Sequence, residues 1–263
     1  MSLRVTMLGS GTSSGVPVIG CTCAVCTSTD PRDRRWRPGL KLESGGRTVL
    51  IDTPTDLREQ ALRFGLARVD AVLFTHPHAD HVFGLDDLRI FNFRQRQAIP
   101  CYGSPETLAA LRRTFAYVFE HGQEGGGKPQ LDLIPITAGA GAFEAGGMSF
   151  TPLPVAHGTM EVLAFRSGGF AYVTDCSAIP PASLRALEGL DVLILDALRH
   201  RPHPTHFTVA EALEVIAALR PRRAILTHIA HDLGHAEVSA TLPAGTELGY
   251  DGLIFEVDTG AAA

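Results

Sequence analysis

The chain has 263 residues, a formal net charge of −5 and a pI near 6.1. Hydrophobic residues make up 45% and charged residues 19%, which is the balance of a globular protein and excludes wholesale disorder. The acidic balance argues against a nonspecific nucleic-acid binder, since such proteins need a basic surface. We find no signal-peptide pattern and no apolar run near the roughly 18 residues of a membrane span. The sequence therefore predicts a cytoplasmic protein that has no membrane partner.

Strands and helices alternate along the chain, as in an α/β protein. The predicted order in the first half is a strand in L-R-V-T-M-L, a Gly/Ser loop (9–17), a strand (47–52), a helix from Thr55, a strand (69–75), a short helix through D-L-R-I-F-N-F, a strand in I-P-C-Y-G and a helix from Pro105 with Ser104 as N-cap. The glycine-rich segment 124–128 is interpreted as a flexible loop within a single domain that spans 1–263.

The second half continues the alternation. It is predicted to hold strands near 131–136, 148–155, 162–166, 170–174 and 191–196, a helix near 208–219 that opens with the capping box of Thr208 and Glu211, and a strand at 223–227. Strand pairs that resemble a meander argue against a purely parallel sheet, so mixed sheets are expected.

The segment T-H-P-H-A-D-H places His76, His78, Asp80 and His81 within six residues, directly after an apolar strand. Imidazole nitrogen and carboxylate oxygen are ligands that zinc, manganese and iron accept. His76 and His78 can point the same way at the end of the strand, whereas Asp80 and His81 fall on the next turn. The spacing therefore predicts ligands for two ions.

Three further candidate ligands, His157, Asp175 and His228, each follow an apolar strand. Strand ends gather at one edge of a sheet, so these residues are expected to meet the histidine-rich segment. We assign His157 to the ion of His76 and His78, and His228 to the ion of Asp80 and His81. Asp175 would bridge the two, which gives a dinuclear centre of zinc or manganese.

The ordered set H-x-H-x-D-H, His, Asp and His resembles the metallo-β-lactamase superfamily of hydrolases. The resemblance implies an αββα sandwich of two mixed β-sheets flanked by helices, with metals at one edge. Asp175, where the β-lactamases proper use cysteine, points to the phosphodiesterase and hydrolase branches. Asp52 matches the early aspartate of the superfamily, whose expected role is to accept a hydrogen bond that orients a ligand histidine.

Within the superfamily the chain is most similar to the carbon–phosphorus lyase accessory phosphodiesterases, which open phosphoribosyl 1,2-cyclic phosphate. The similarity lies in G-S-G-T-S-S-G-V-P-x-x-G-C-x-C-x-x-C at 9–26, in L-T-H-I-A-H near His228 and in G-Y-D-G near the end. It implies a structural zinc in the N-terminal loop (20–27). The implied ligands are Cys21, Cys23, Cys26 and His231.

The residue types support that zinc site independently, because three thiolates and one histidine form the closed tetrahedron of structural zinc. On spacing alone, His235 is a rival to His231 as the fourth ligand. A reduced loop without metal, or a redox switch, is the other interpretation of these cysteines. Cys101 and Cys176 are expected to be small buried hydrophobes.

His206 lies just before the capped helix and resembles the non-ligand histidine of ribonuclease Z and the cyclic phosphodiesterases. We therefore expect it to contact phosphoryl oxygens or to protonate the leaving oxygen, and either His206 or Asp80 handles the proton. The alternative for His206 is packing at the helix entry. His200 and His203 are expected on the loop surface, and His121 has no assigned role.

The first loop and the segment that follows the cysteines offer further candidate phosphate contacts. Ser13 and Ser14 could face a phosphate, or could serve only the turn. The segment P-R-D-R-R-W-R-P at 31–38 gathers four arginines around Trp36 and could grip phosphates and stack a base. More often such a run is a solvated loop.

The predicted function is hydrolysis of a small, cyclic phosphodiester in which a dinuclear-metal-bound hydroxide attacks phosphorus. The runner-up is a ribonuclease Z-like endonuclease that processes tRNA 3′ ends, although the 120–130 segment is short for an arm that clamps tRNA. A non-hydrolytic metal-binding carrier in cofactor biosynthesis is the alternative from another class. The expected partner is a small phosphodiester rather than a nucleic acid, and a homodimer is the base-rate expectation for assembly.

Overall fold

A computed structural model of the chain describes residues 2–120 and 127–258. These residues form two mixed sheets of seven strands each, with helices on both outer faces. The predicted αββα sandwich is therefore confirmed. His121 and most of the glycine-rich segment 124–128 lie outside the described residues.

The first sheet holds seven strands, and its order is β14-β1-β2-β3-β4-β5-β6. Their bounds are β1 Ser2–Gly9, β2 Gly39–Ser44, β3 Arg47–Ile51, β4 Ala71–Leu73, β5 Ile99–Gly103, β6 Leu131–Pro135 and β14 Ile254–Asp258. The strands from β3 to β6 run parallel to one another, whereas β1 pairs antiparallel with both of its neighbours.

The second sheet has the order β13-β12-β11-β10-β9-β8-β7. Its bounds are β7 Phe143–Ala145, β8 Met148–His157, β9 Met160–Ser167, β10 Phe170–Val173, β11 Val192–Asp196, β12 Arg223–Thr227 and β13 Thr246–Leu248. The strands from β10 to β13 are parallel, and β9 pairs antiparallel with both β8 and β10. Consequently β8 and β10 point in the same direction.

The helices connect these strands and cover the outer faces. Their bounds are α1 Leu57–Arg63, α2 Ala79–Val82, α3 Arg89–Gln95, α4 Pro105–Thr114, α5 Ala116–Phe119, α6 Pro181–Ala186, α7 Val209–Leu219 and α8 His235–Ser239. Ser104 caps α4 through its hydroxyl, and Thr208 and Glu211 form the capping box of α7, as the sequence predicts.

Three buried clusters fill the spaces between the four layers. One lies between the sheets, where side chains such as Met7 and Leu42 of the first sheet share a core with Phe165 and Tyr172 of the second. A second cluster packs the outer face of the second sheet against α7, and a third packs the outer face of the first sheet against α1 and α4. This layering excludes water from both sheet faces and leaves the strand ends as the place for polar side chains.

The short helix that is predicted through D-L-R-I-F-N-F is present as α3, with a 3₁₀ turn before it, and the structure adds one more helix inside the histidine motif. Helix α2 already begins at Ala79 inside the motif, and a 3₁₀ turn (Leu85–Leu88) separates it from α3. The break lies at Gly84, where a Cβ atom would approach the carbonyl oxygen of Pro54 to 2.2 Å. The backbone of Gly84 passes so close to Pro54 that only a residue without a Cβ atom fits at this position.

The sequence analysis also did not predict strands β2 and β14, and the remaining differences concern shorter elements. The helix from Pro105 is interrupted at Phe115, whose φ of −111° and ψ of 42° are not helical. Strands β7 and β13 have three residues each, and helices α6 and α8 have six and five. Elements of this length show no periodic pattern, so the sequence did not predict them.

Candidate metal centre

Polar side chains collect where parallel strands of both sheets end. Asp52 follows β3, His76 follows β4, Asp175 follows β10 and His228 follows β12. Strand β8 runs in the same direction as β10 and ends in His157. The strand ends that carry these residues therefore meet at one edge, as the sequence predicts.

The backbone turns sharply at three of these positions. Asp52, Asp175 and His228 have φ values of 64°, 51° and 60°, in the left-handed region that non-glycine residues rarely adopt. Such conformations cost about 1–3 kcal/mol each and persist where the surroundings determine them. Strained backbone at these strand ends marks the region as a functional site.

The first group of donor atoms comes from His76, His78, His157 and Asp175, and all four atoms lie within 4.8 Å of one another. His76 Nε2 is 3.0 Å from His78 Nδ1 and 3.6 Å from Asp175 Oδ2. His78 is the exposed member of the group, so this side of the cluster opens to solvent.

The second group comes from Asp80, His81, Asp175 and His228, and all four residues are buried. His81 Nε2 lies 3.2 Å from Asp175 Oδ1, and His228 Nε2 lies 3.4 Å from Asp175 Oδ2. Asp80 Oδ2 is 3.4–3.5 Å from the same two nitrogens. Asp175 belongs to both groups and stands between them, which is the place that the sequence analysis gave it.

Hydrogen bonds at the far side of two rings fix which nitrogen faces the cluster. His81 Nδ1 donates to Asp52 Oδ2 at 2.7 Å, and His157 Nδ1 donates to the carbonyl oxygen of Thr205 at 2.8 Å. In each ring the Nε2 lone pair is therefore free to bind a metal. Asp52 also accepts hydrogen bonds from the backbone N–H and hydroxyl of Thr75, which precedes His76. It orients a candidate ligand and the loop that carries it.

The donor set fits divalent cations. Among the described residues, the buried Nε2 atoms of His81 and His228 have no hydrogen-bond partner. A buried polar nitrogen without a partner costs about 1–3 kcal/mol, a cost that a coordinated cation would remove. Neutral imidazoles and carboxylates are the ligands expected for zinc or manganese, so the residues present suit the predicted pair of ions.

The pKa shifts show how strongly these groups interact. Burial alone raises the pKa of the Asp175 carboxyl, but the surrounding histidines, His228 first, outweigh it and hold that pKa well below its usual range. Burial likewise raises the pKa of Asp80, and the neighbouring imidazoles of His228 and His81 outweigh it and lower that pKa. Both carboxylates are therefore ionised and suited to balance positive charge.

His206 lies beside the cluster, with Nε2 4.0 Å from Asp175 Oδ2 and its ring stacked on that of His228 at a centroid distance of 4.6 Å. Its Nδ1 donates to Asp196 Oδ2 at 3.1 Å, so Nε2 faces the centre. The structure thus brings His206 to the place where the sequence analysis expects a residue that handles the proton.

Asp196 is a site residue that the sequence analysis missed. It is fully buried at the end of β11, and its carboxylate also accepts hydrogen bonds from the backbone N–H groups of Cys176 and Phe207. V-L-I-L-D carries the signal that led to Asp175, an aspartate at the end of an apolar strand, but nothing in it indicates a hydrogen-bond partner for a histidine.

The three N-terminal cysteines surround one histidine. His231 Nδ1 lies 3.4 Å from the sulfur atoms of Cys21 and Cys23 and 3.5 Å from that of Cys26. The four donor atoms form a third candidate site, separate from the first two groups. Its chemistry is that of a closed Cys₃His zinc site.

The rival fourth ligand lies elsewhere. His235 is buried at the start of α8, where its ring contacts Tyr250 edge-on at 5.7 Å, and it is absent from the cysteine group. Geometry therefore favours His231. Cys101 and Cys176 are fully buried free thiols, and burial raises the pKa of each. Neither belongs to the donor groups found among the described residues.

The other sequence candidates differ in their positions, and only one of these described residues contacts a residue beside the centre. Ser13 and Ser14 are exposed, and the backbone N–H of Thr12 donates to the carbonyl of Ile229, the residue after His228. The ring of His203 lies 5.2 Å from that of His206, so His203 is close to the centre rather than remote. His200 is exposed.

The G-Y-D-G segment near the end has a structural role. Asp251 accepts hydrogen bonds from the backbone N–H and hydroxyl of Ser10 and from the backbone N–H of Trp36. This carboxylate therefore joins the first loop to the arginine-rich segment. Burial raises its pKa to about 6 despite these hydrogen bonds.

The chain resembles known proteins in both sequence and fold. A family model described as a β-lactamase superfamily domain matches residues 47–229. The chain belongs to the β-lactamase superfamily. The family inferred from the motif is confirmed, and the matched range includes all seven residues of the two histidine-containing groups.

The proteins that the chain is similar to are described with several activities. The solved structure of a diphosphatase from the PhnP family is 45% identical, with a TM-score of 0.92 and 98% of each chain covered. An octanoyltransferase from Porphyromonas gingivalis is 36% identical over 97% of this chain and 52% of its own length. A ribonuclease Z from Bradyrhizobium is 30% identical over 60% of this chain and 51% of its own length. The chain thus spans about half the length of these curated relatives.

Membership of the β-lactamase superfamily and the similarity to a diphosphatase support a metal-dependent hydrolase. None of the described helices is long and apolar enough to cross a membrane.

Proposed function

We propose that this chain is a metal-dependent phosphodiesterase that hydrolyses a small phosphodiester, with a cyclic phosphate such as phosphoribosyl 1,2-cyclic phosphate as the leading candidate. The observation that carries the proposal is the pair of donor groups joined by Asp175, with the His206–Asp196 pair beside them. Two neighbouring cations suit displacement at phosphorus, because one can stabilise the attacking oxygen and the other the leaving oxygen.

The residues divide into two sets of metal ligands. The first ion would be held by His76, His78 and His157, the second by Asp80, His81 and His228, and both by Asp175. When bound, the ions would lower the pKa of water and neutralise charge on the phosphoryl oxygens. Asp52 holds the ring of His81 in the tautomer that leaves Nε2 free.

The proton at the leaving oxygen is assigned to His206 Nε2. Asp196 accepts the hydrogen bond from Nδ1 and would stabilise the ring when Nε2 also carries a proton. Asp80 is the alternative, but its Oδ2 lies against His81 and His228, where it serves as a ligand. The geometry therefore favours His206 over Asp80 for the proton.

The structural zinc belongs to the proposal as a third ion, held by Cys21, Cys23, Cys26 and His231. This tetrahedral set offers no free position for substrate, so its role is to fix the N-terminal loop against the segment that follows β12.

The test is a panel of cyclic and linear phosphodiesters, assayed in parallel with Mn²⁺ and Zn²⁺. We expect turnover of small diesters, with the cyclic phosphate hydrolysed most efficiently. Turnover of tRNA precursors with no activity on small diesters would instead support the ribonuclease Z alternative, to which the 30% identical relative draws attention. Fully metallated protein with no esterase activity would favour a non-hydrolytic carrier and overturn the proposal.

A further inference from the structure

A cavity of about 320 Å³ lies beside Trp36, in the part of the arginine-rich segment that the proposed function leaves without a role. Its walls come from the first loop, from the 34–37 segment and from the end of α1. The lining includes Arg34, Trp36 and Arg63 together with two carboxylates, Asp56 and Asp251. Asp56 is paired with Arg37, and Asp251 accepts backbone hydrogen bonds from Ser10 and Trp36.

The four arginines of the segment have different partners. Arg32 pairs with Asp30, and Arg35 is buried and bonded to Asp33. Arg37 donates from Nη1 to Asp56 and from Nε to the carbonyl of Ser13. Arg34 has no ion pair among the described residues, which leaves its charge available to a ligand at the cavity.

Arg63 adds a second available charge from α1. Its guanidinium lies 5.3 Å from the centre of the Trp36 ring, and no carboxylate of the described residues pairs with it. The cavity therefore presents the unpaired Arg34 and Arg63 together, in a chain whose net charge is −5. Guanidinium groups match the geometry of phosphate oxygens and bind them through paired hydrogen bonds.

One side of the cavity is apolar. Trp36 is half-buried with the ring of Phe64 against its edge at 6.1 Å, and Ile19 is 97% exposed on the first loop. A large apolar side chain left this exposed is available for contact with a ligand. The combination suits a phosphate attached to a small carbon skeleton, such as a sugar.

Segments that line the cavity are hydrogen-bonded to the loops that carry the metal centre. The first loop continues into Thr12, whose backbone N–H bonds to Ile229 next to His228. Asp56, which lines the cavity, lies three residues after Thr53. The backbone N–H of Thr53 donates to the carbonyl oxygen of His81. A ligand in the cavity would therefore contact segments that are hydrogen-bonded to the loops that carry the candidate metal ligands.

We propose that this cavity is an anion subsite that binds a second, non-reacting phosphate of the substrate, a sugar phosphate group, through Arg34 and Arg63. The inference rests on the proposed function, since it concerns the part of the phosphodiester that is not hydrolysed. A remote contact of this kind binds the substrate and the transition state equally, so its loss raises KM and leaves kcat almost unchanged.

Trp36 allows the subsite to be tested directly, because it is the single tryptophan of the chain. Ribose 5-phosphate is titrated into the metal-loaded protein while tryptophan fluorescence is recorded. We expect a saturable change in fluorescence, which ribose without the phosphate does not produce. No change with ribose 5-phosphate, or an equal change with ribose, overturns the proposal.

Variants identify which side chains bind the phosphate group. Arg34→Ala and Arg63→Ala should each weaken the binding of ribose 5-phosphate about tenfold, a loss of about 1.4 kcal/mol. Arg222→Ala is the matched control, because its side chain is 86% exposed and pairs with Asp191 beside the second sheet. If all three variants bind as the wild type does, the fluorescence change arises elsewhere, for instance at the metal centre, and the proposal is wrong.

A pair of substrates separates this proposal from the proposed function. For a cyclic diester that carries a second phosphate, Arg63→Ala should raise KM about tenfold with little change in kcat. For bis(p-nitrophenyl) phosphate, which has no second phosphate, both KM and kcat should stay unchanged. Equal effects on both substrates contradict the subsite. Absence of turnover with either substrate refutes the phosphodiesterase itself, and the fluorescence titration still decides whether the cavity binds phosphate.

Discussion

At the scale of single residues, the centre is built from polar side chains placed where apolar strands end. Residue type and position together were enough to select the seven candidate ligands that the fold brings together, because each follows a strand or lies in the turn after one. Asp196 follows the same rule and was missed, since nothing in V-L-I-L-D distinguishes a hydrogen-bond acceptor from an ordinary strand-end carboxylate. Its function depends on the ring of His206, ten residues further along the chain, which only the fold brings within 3.1 Å.

The role of Asp196 as a positioning residue gives a first prediction. Asp196→Asn keeps the size of the side chain but loses the charge that faces His206 Nδ1. We expect kcat to fall about 10–100-fold, the usual effect of changing a partner that orients a site histidine, with KM and metal content almost unchanged. Steady-state kinetics and metal analysis provide the measurements.

Asp191→Asn is the control for that variant, since Asp191 precedes β11 and its side chain is 38% exposed. It should retain wild-type kcat. A wild-type kcat in Asp196→Asn would show that the hydrogen bond to His206 has no part in the reaction.

A second prediction concerns Asp251, whose pKa is raised by burial to about 6 from an ordinary 3.8. Between these values the folded state binds more protons than the unfolded state, so the stabilisation that protonation contributes is lost as pH rises through 6. The free energy of unfolding of wild type, measured relative to Asp251→Asn, should fall by about 1 kcal/mol between pH 5 and pH 7. Urea denaturation at the two pH values tests this, and a difference that stays constant or increases would contradict the raised pKa.

At the scale of helices and strands, long periodic segments were predictable and breaks within them were not. The capping box of α7 and the N-cap of α4 carry local signals, because a side chain bonds to a backbone group three residues away. Gly84, which lies between α2 and the 3₁₀ turn, approaches Pro54 closely, and the local sequence shows the glycine but not the segment that it approaches. The formation of strands of three residues likewise depends on pairing with the neighbouring strand, which the local sequence does not show.

Removal of the two caps provides a matched pair of variants. Thr208→Ala and Ser104→Ala should each lower the free energy of unfolding by about 1 kcal/mol, because each leaves a backbone N–H without its side-chain acceptor. Only α7 begins next to His206, so Thr208→Ala is expected to reduce kcat as well, whereas Ser104→Ala leaves kcat unchanged. Urea denaturation and steady-state kinetics measure the two effects, and equal kcat values in both variants would show that α7 does not position His206.

At the scale of the whole molecule, two candidate metal sites tie distant parts of the chain together. The cysteine site joins the N-terminal loop to His231, about 210 residues away in sequence. The first two donor groups draw ligands from both sheets, so the sandwich can hold them only when the sheets pack face to face. The sequence predicted both ligand sets because their residue types are unusual, whereas the choice of His231 over His235 needed the position of α8.

The cysteine site yields a prediction about stability. Cys23→Ser should lose one zinc ion per chain and lower the melting temperature by about 5 °C or more, since a change of 1 kcal/mol shifts it by about 2–4 °C in a chain of this size. The first two groups should keep their ions, because they share no ligand with the cysteine site. Cys101→Ala, at a buried cysteine outside the site, should retain all three ions. Native mass spectrometry counts them, and three ions in Cys23→Ser would refute the assignment.

The central claim is that the two donor groups joined by Asp175 form a dinuclear centre that hydrolyses phosphodiesters. The most direct measurement counts metal ions and assays a small phosphodiester on the same samples of wild type and Asp175→Ala. The account predicts three ions and turnover in the wild type. In Asp175→Ala it predicts that zinc remains at the cysteine site and that turnover falls at least 1000-fold, about 4 kcal/mol of lost transition-state stabilisation. Undiminished turnover in Asp175→Ala, or a wild type that holds three ions and hydrolyses no phosphodiester, would contradict it.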